Sequence, residues 1–204
     1  MSNQINTDEQ RVSYGIGRQM GDQLVSSGIP DLDINLVLEG LRAAFNQQPS
    51  PVDEEAMQLA FQGLQQKMAA VAEESARAAG KAGADYLEQN AQRDGVVTLP
   101  SGLQYEVINE GTGATPSADS TVQTHYEGTL INGDVFDSSY KRGQPAEFPV
   151  GGVIAGWTEA LQLMKEGAKW RLYIPSELAY GARAAGSIPP HSTLVFDIEL
   201  LKVL

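Results

Sequence analysis

The chain reads as an α+β protein in two parts: a helical N-terminal stretch, then an antiparallel sheet of four to six strands packed on one short helix. Two observations predict this. Up to about Gln92 apolar residues recur at helical spacing, and from about Val96 they alternate with polar ones. A third supports them: the second half holds one helical stretch, Gly156–Met164, which is the arrangement of an α+β domain.

The first helix is marked by Val12, Ile16, Met20 and Leu24, one amphipathic stripe, with Gly15, Gly17 and Gly21 beside it. A second follows Pro30-Asp31 and carries Ile34, Val37, Leu38, Leu41 and Phe45. Ser50-Pro51-Val52-Asp53 then signals a start, with Ser50 as N-cap and proline at the first helical position. No proline interrupts the stretch from there to Gln92, and about 40 residues would make a rod of roughly 60 Å. Leu59, Phe61, Leu64, Met68 and Val71 give its first part an apolar face. Between Ala72 and Asp85 no apolar side chain exceeds alanine, which predicts an exposed connecting arm. Two short helices and half a long one are too few to bury a core alone. Their stripes need either a second copy of the chain or the C-terminal half.

Strands are expected at Leu103–Ile108, Thr121–Tyr126, Trp170–Ile174 and Leu194–Leu200. A hairpin turn is expected at Ile131-Asn132-Gly133-Asp134. The chain is thus divided at 1–50, 51–95 and 96–204.

Composition narrows the function. Among 204 residues, 26 acidic against 14 basic leave a net charge of −12, which opposes nucleic-acid and anionic-membrane binding. Without cysteine there is neither a disulfide scaffold nor thiolate chemistry. His125 and His191 lie too far apart in sequence to suggest a zinc site. The opening Met1–Asp8 lacks the basic start and apolar core of a secretory leader, and no stretch approaches the roughly 18 apolar residues of a membrane span. The expectation is a soluble cytoplasmic protein with no cofactor; a periplasmic protein whose leader had been removed would read the same way.

Several chemistry-like patterns dissolve on inspection. Gly15-Ile16-Gly17-Arg18-Gln19-Met20-Gly21 has the wrong glycine spacing for a dinucleotide fingerprint and no strand before it. Gly111-Thr112-Gly113-Ala114 lacks the lysine of a phosphate loop. No serine has a plausible His and Asp partner set. Glu54-Glu55 and Glu73-Glu74 are solvated helix faces. What remains is aromatic: Tyr126, Phe136, Phe148, Trp157, Tyr180 and Phe196, with Val153, Ile154 and Ile188. Each taken singly is more often core than site.

Taken in order, the motifs are more specific. They run His125-Tyr126-Glu127-Gly128, Val135-Phe136-Asp137-Ser138-Ser139, Val153-Ile154-Ala155-Gly156-Trp157, Ala179-Tyr180-Gly181 and Ile188-Pro189-Pro190-His191-Ser192-Thr193-Leu194-Val195-Phe196-Asp197. This series resembles the FKBP-type peptidyl-prolyl cis-trans isomerases over about residues 98–204. The resemblance implies a curved sheet wrapped around one helix, with a proline pocket between them. It implies Trp157 as the surface on which the proline ring rests, and Tyr126, Phe136 and Phe196 as side walls. Val153 and Ile154 match the rim, the Ile154 N–H matching one that binds a ligand carbonyl. Phe148 and Ile188 complete the lining. Tyr180 matches a hydroxyl that bonds the ligand, and Asp137 matches the acid of the pocket, a role the resemblance favours over capping the following turn and one compatible with it.

Proline-containing unfolded or partly folded proteins are the implied substrates, and macrolides such as FK506 the implied inhibitors. Departures fall at the rim: Ala146 replaces an aromatic, Gly151-Gly152 shortens the approach to Val153, and the 182–187 loop is short. The whole layout is similar to the bacterial Mip-like and FklB-like isomerases, whose members are V-shaped homodimers that also act on unfolded proteins. That implies a homodimer formed by residues 1–50, held through the connecting helix 51–95 to an isomerase domain at 96–204. The rival is a holdase-type chaperone in which isomerisation is incidental; a dimerising scaffold ranks third.

Overall fold

A computed structural model of the chain describes residues 5–204. The chain divides into two compact units, one ending at Ala70 and the other spanning Val71–Leu204.

The first unit is helical. Helix α1 (Asp8–Ser26) opens on a reciprocal capping box, in which the Thr7 hydroxyl accepts from Gln10 N–H and the Gln10 side chain accepts from Thr7 N–H. Helix α2 (Ile34–Phe45) is capped by Asp33, whose carboxylate accepts from Asn35 N–H at 2.8 Å. Helix α3 (Glu54–Asn90) begins three residues later than the sequence signal implies. Asp53 rather than Ser50 caps it, accepting from Ala56 N–H at 2.8 Å. The Ser50 hydroxyl is occupied with the N–H and C=O of Val52. None of residues 5–70 is buried. Val12 is 62% exposed and Phe45 90%.

The second unit holds a seven-stranded antiparallel sheet. Its strands are β1 (Val96–Thr98), β2 (Gln104–Asn109), β3 (Thr121–Leu130), β4 (Val135–Ser138), β5 (Ala146–Pro149), β6 (Lys169–Ile174) and β7 (Leu194–Val203). They run in the order β1-β2-β6-β7-β3-β4, with β5 also paired to β3. The sequence pattern predicts four to six. The extra strands, β1, β4 and β5, are three or four residues long, too short for alternation to register. The β3–β4 turn follows expectation: Gly133 at φ +91° donates to the Leu130 carbonyl, and Leu130 N–H closes on Asp134.

One face of the sheet is apolar, carrying Val122 and Tyr126 of β3, Leu172 and Ile174 of β6, and Phe196 and Ile198 of β7. Helix α5 (Ala155–Leu161) lies against it. Gly156 makes that approach possible, because a Cβ there would sit 2.6 Å from Ile174 Cγ2. A further single helical turn, α4 (Ser139–Arg142), follows β4 and is capped by the Ser138 hydroxyl.

The C-terminal part of α3 is less free than its alanine-rich sequence suggests. Val71 to Ser75 are exposed, but Gly83 is buried against Thr193. Buried Asn90 donates to Gln104 at 2.9 Å, and Gln104 donates back to the Leu87 carbonyl at 2.9 Å. Arg93 extends the cluster to the Tyr173 hydroxyl and to Glu106. The expected arm of residues 72–85 is therefore exposed only in its first part. Polar groups and glycines, rather than an apolar stripe, dock the rest. No helix among the described residues is long and apolar enough to cross a membrane.

Candidate active site

Trp157 lies in the first turn of α5, where the helix enters the concave face of the sheet, and it is 4% exposed. Three rings meet its indole edge to face: Tyr126 at 5.2 Å, Phe148 at 5.6 Å and Phe196 at 5.2 Å between centroids, each within 7° of perpendicular. Phe136 continues the pattern against Phe196 at 5.4 Å and 83°. Such edge-to-face pairs add about 0.5–1.5 kcal/mol each beyond burial, so the rings stabilise one another in this arrangement. The Trp157 Nε1–H is buried without a hydrogen-bond partner among the described residues.

These rings bound a cavity of about 680 Å³. All ten predicted site residues line it: the aromatic Trp157, Tyr126, Phe136, Phe148 and Phe196, the aliphatic Val153, Ile154 and Ile188, and Asp137 and Tyr180 as polar members. Tyr180 is 40% exposed. Gly152 and the short stretch Ala185–Ser187 also line it.

The polar edge is a tight cluster. Tyr126 donates its hydroxyl to Asp137 Oδ2 at 2.5 Å, and Arg142 donates both to Asp137 Oδ1 and, at 2.7 Å, to the Tyr126 hydroxyl. Desolvation pushes the Asp137 carboxyl up, but the hydrogen bonds from Tyr126 and Arg142 and the guanidinium charge outweigh it, leaving its pKa below the ordinary value. Desolvation and the bond to Asp137 raise the Tyr126 phenol, so it stays protonated and donating. An anionic carboxylate already held by two donors is a poor proton acceptor. It orients the phenol instead, and it does not cap the next turn, since Ser138 does that.

Four contributors lie outside the ten expected site residues, although the sequence already placed one of them, Gly152, at the rim. Arg142 is five residues beyond Asp137, and α4 folds it back; five is not the i, i+3 or i, i+4 spacing of a helical pair, so spacing gave no signal for it. The buried Ser139 hydroxyl accepts from Tyr126 N–H at 2.8 Å and also lies 3.1 Å from its carbonyl and 2.9 Å from His125 Nδ1. It thereby pins the backbone that carries Tyr126. At Gly128 a Cβ would stand 2.6 Å from both the Phe136 and Phe196 rings, so only glycine admits them. Gly152, the last, lies against Pro149, and a Cβ on it would stand 2.7 Å from the proline ring. Ser139 and the two glycines have no signature in sequence spacing. Among the described residues no group of three His, Cys, Asp or Glu is placed to hold a metal ion.

A cavity of this kind can bind a compact apolar ring and present a few donors to neighbouring carbonyls. It offers no nucleophile with an activating base.

Known proteins resemble this chain over nearly its whole length. The family model described as FKBP-type peptidyl-prolyl cis-trans isomerase matches residues 113–201, and the one described as the domain amino terminal to it matches residues 9–107. The chain is 48% identical over 201 residues to the FKBP-type 22 kDa peptidyl-prolyl cis-trans isomerase of Escherichia coli, covering 98% of each chain. It is 41% identical over 206 residues to the outer membrane protein MIP of Legionella longbeachae, covering 98% of this chain and 87% of that one. The crystal structure of FkpA from Escherichia coli superposes with a TM-score of 0.71 at 38% identity, covering 98% of both chains.

Proposed function

The chain belongs to the FKBP-type peptidyl-prolyl cis-trans isomerases, and from that premise we propose that the aromatic cavity around Trp157 receives the proline ring whose amide is turned. The observation that carries this reading is the placing of Trp157 against three perpendicular rings in one cavity.

An X-Pro amide turns slowly because resonance gives its C–N bond partial double-bond character. The planar amide is strongly dipolar, and the twisted one has lost much of that charge separation. A dry aromatic wall therefore disfavours the ground state more than the transition state, while donors that fit the twisted geometry favour it by differential binding. In this proposal Tyr126, Phe136 and Phe196 exclude water, with Phe148, Val153 and Ile188 closing the sides. The Ile154 N–H and the Tyr180 hydroxyl hold the flanking carbonyls. Asp137, with Arg142, keeps the Tyr126 phenol in place. No proton is transferred and no bond is broken.

The substrates are proline-containing segments of unfolded or partly folded proteins, with FK506-type macrolides as competitors for the same cavity. A second element of the proposal concerns residues 1–50. A helical unit in which none of residues 5–70 is buried supports homodimer formation and chaperone-like holding of clients through the same region. A cytoplasmic location belongs to the proposal as well. The name of the MIP relative makes cell fractionation its test, and recovery in the periplasmic or membrane fraction would overturn it.

The cavity assignment is tested with Trp157→Ala and Tyr180→Ala. Both should impair isomerisation of a short proline peptide while circular dichroism reports a folded domain. Tyr180 is exposed enough that its truncation leaves the core intact, so wild-type turnover in that variant removes the assignment.

A further inference from the structure

The rim of the cavity is a loop whose back rests on helix α3. It leaves the 3-10 turn at Ser176–Leu178, carries Tyr180 and Ile188 at the cavity, and returns to β7 through Thr193. Its own backbone bonds are few. Ala185 and Ile188 exchange two at 3.0 Å, Arg183 donates to Tyr180 at 3.1 Å, Gly181 donates to Ser176 at 2.8 Å, and His191 donates to Gly181 at 2.7 Å. The last of these closes the loop at its base. His191 makes it at φ +58°, a left-handed conformation that a non-glycine residue keeps only where its surroundings over-determine it.

Those surroundings include α3. A Cβ on Gly80 would lie 3.4 Å from the His191 Cβ. A Cβ on Gly83 would fall within the Thr193 hydroxyl, 3.1 Å from Thr193 Cβ and 3.5 Å from its backbone nitrogen. Gly83 and Thr193 are both buried. Farther along, the Asn90–Gln104–Leu87 bonds and the Arg93–Tyr173 bond hold the end of the same helix to the sheet. Two glycines three residues apart weaken a helix otherwise rich in alanine, and close approach to the loop explains their presence.

We propose that Gly80 and Gly83 are positioning residues for the isomerase site. They let α3 seat the base of the rim loop and so set where Tyr180 and Ile188 stand over the cavity. The inference deepens the reading of that cavity as the proline site and rests on it.

The test uses the full chain. Gly83→Ala displaces Thr193 and the loop behind it; Thr193→Gly removes the obstruction. Ala84→Gly weakens the helix at an exposed neighbouring position without touching the loop. In Gly83→Ala kcat/KM for a proline tetrapeptide should fall about tenfold, carried mainly by kcat, within the roughly hundredfold that a 1 Å misplacement can cost. Hydrogen exchange at the Gly181, Ala185, Ile188 and His191 amides should quicken. The Gly83→Ala/Thr193→Gly pair should restore both readouts, and Ala84→Gly should move neither. Gly80→Ala, with its looser fit, should quicken exchange at His191 in the same direction and stands in if Gly83→Ala does not fold. Unchanged exchange in both glycine variants, the same loss of kcat/KM in Ala84→Gly, or no recovery in the pair would each overturn the proposal. Failure of the cavity reading is distinguishable: Trp157→Ala and Tyr180→Ala would then keep wild-type rates while exchange in Gly83→Ala still quickened.

Discussion

The unit ending at Ala70 and the unit beginning at Val71 satisfy the same physical requirement in opposite ways. The second buries its apolar residues within itself, with Leu103, Leu161, Leu172 and Ile198 fully inaccessible. The first has helices as well capped as any in the molecule, yet none of residues 5–70 is buried. Good local structure does not make a core. Most helical stability comes from burying an amphipathic face, so helices with exposed stripes are half of a packing arrangement. In the proposed function the second unit carries the chemistry and the first the association.

The sharpest way to break that division is to separate the units. A fragment covering 71–204 retains the Gly83, Asn90 and Arg93 contacts and the whole cavity. It should be monomeric by size exclusion with light scattering. Its rate on a short proline peptide should stay within about twofold of the full chain. Refolding of a large, proline-limited protein should fall by about a hundredfold, the lower range of what linked sites contribute through effective concentration. A fragment that refolds clients as well as the whole chain would abolish the division, as would a monomeric full-length protein.

Paired substitutions sharpen it. Phe45→Ser alters a side chain that is 90% exposed in one chain. If a second copy covers it, dimer stability should fall by about 1.5–3 kcal/mol, the worth of burying one phenylalanine, while melting of the isomerase unit is unmoved. Asn90→Ala should do the reverse. It leaves the buried Gln104 amide oxygen without its donor, although the amide nitrogen still reaches Leu87; the loss costs that unit about 1–3 kcal/mol and leaves the oligomeric state unchanged. Sedimentation equilibrium and thermal unfolding of both variants read the two effects. If Phe45→Ser changes neither quantity, the first unit is not an interface at that position.

The smallest expected effect is pH. The Asp137 pKa is depressed in the folded protein, so its contribution is fully present above the ordinary carboxylate value of about 3.9 and is lost as pH falls through the depressed one. Peptide isomerisation should therefore be flat between about pH 5 and pH 8. A bell-shaped profile in that window would mean acid–base chemistry and would contradict the cavity mechanism.

Period in the sequence determined the order of the longer elements, and the resemblance of its motifs to a known family supplied the ten residues of the candidate site. Helical and two-residue repeats depend only on which face of an element is apolar, and α1, α2, β3, β6 and β7 carry that pattern over six to nineteen residues. The site was legible because its aromatic residues stand in a recognisable order, a property of the chain before it folds. Tertiary structure alone decided the rest. The short strands β1, β4 and β5 exist because longer neighbours offer them an edge, not because of their own propensity. Asp137 proves to be a tether rather than a turn cap, because α4 brings Arg142 to it. Gly83, Gly128 and Gly156 look like helix or strand weaknesses in the sequence. Each is a place where another part of the fold occupies the volume of a missing Cβ, and such closeness is fixed by packing between distant segments.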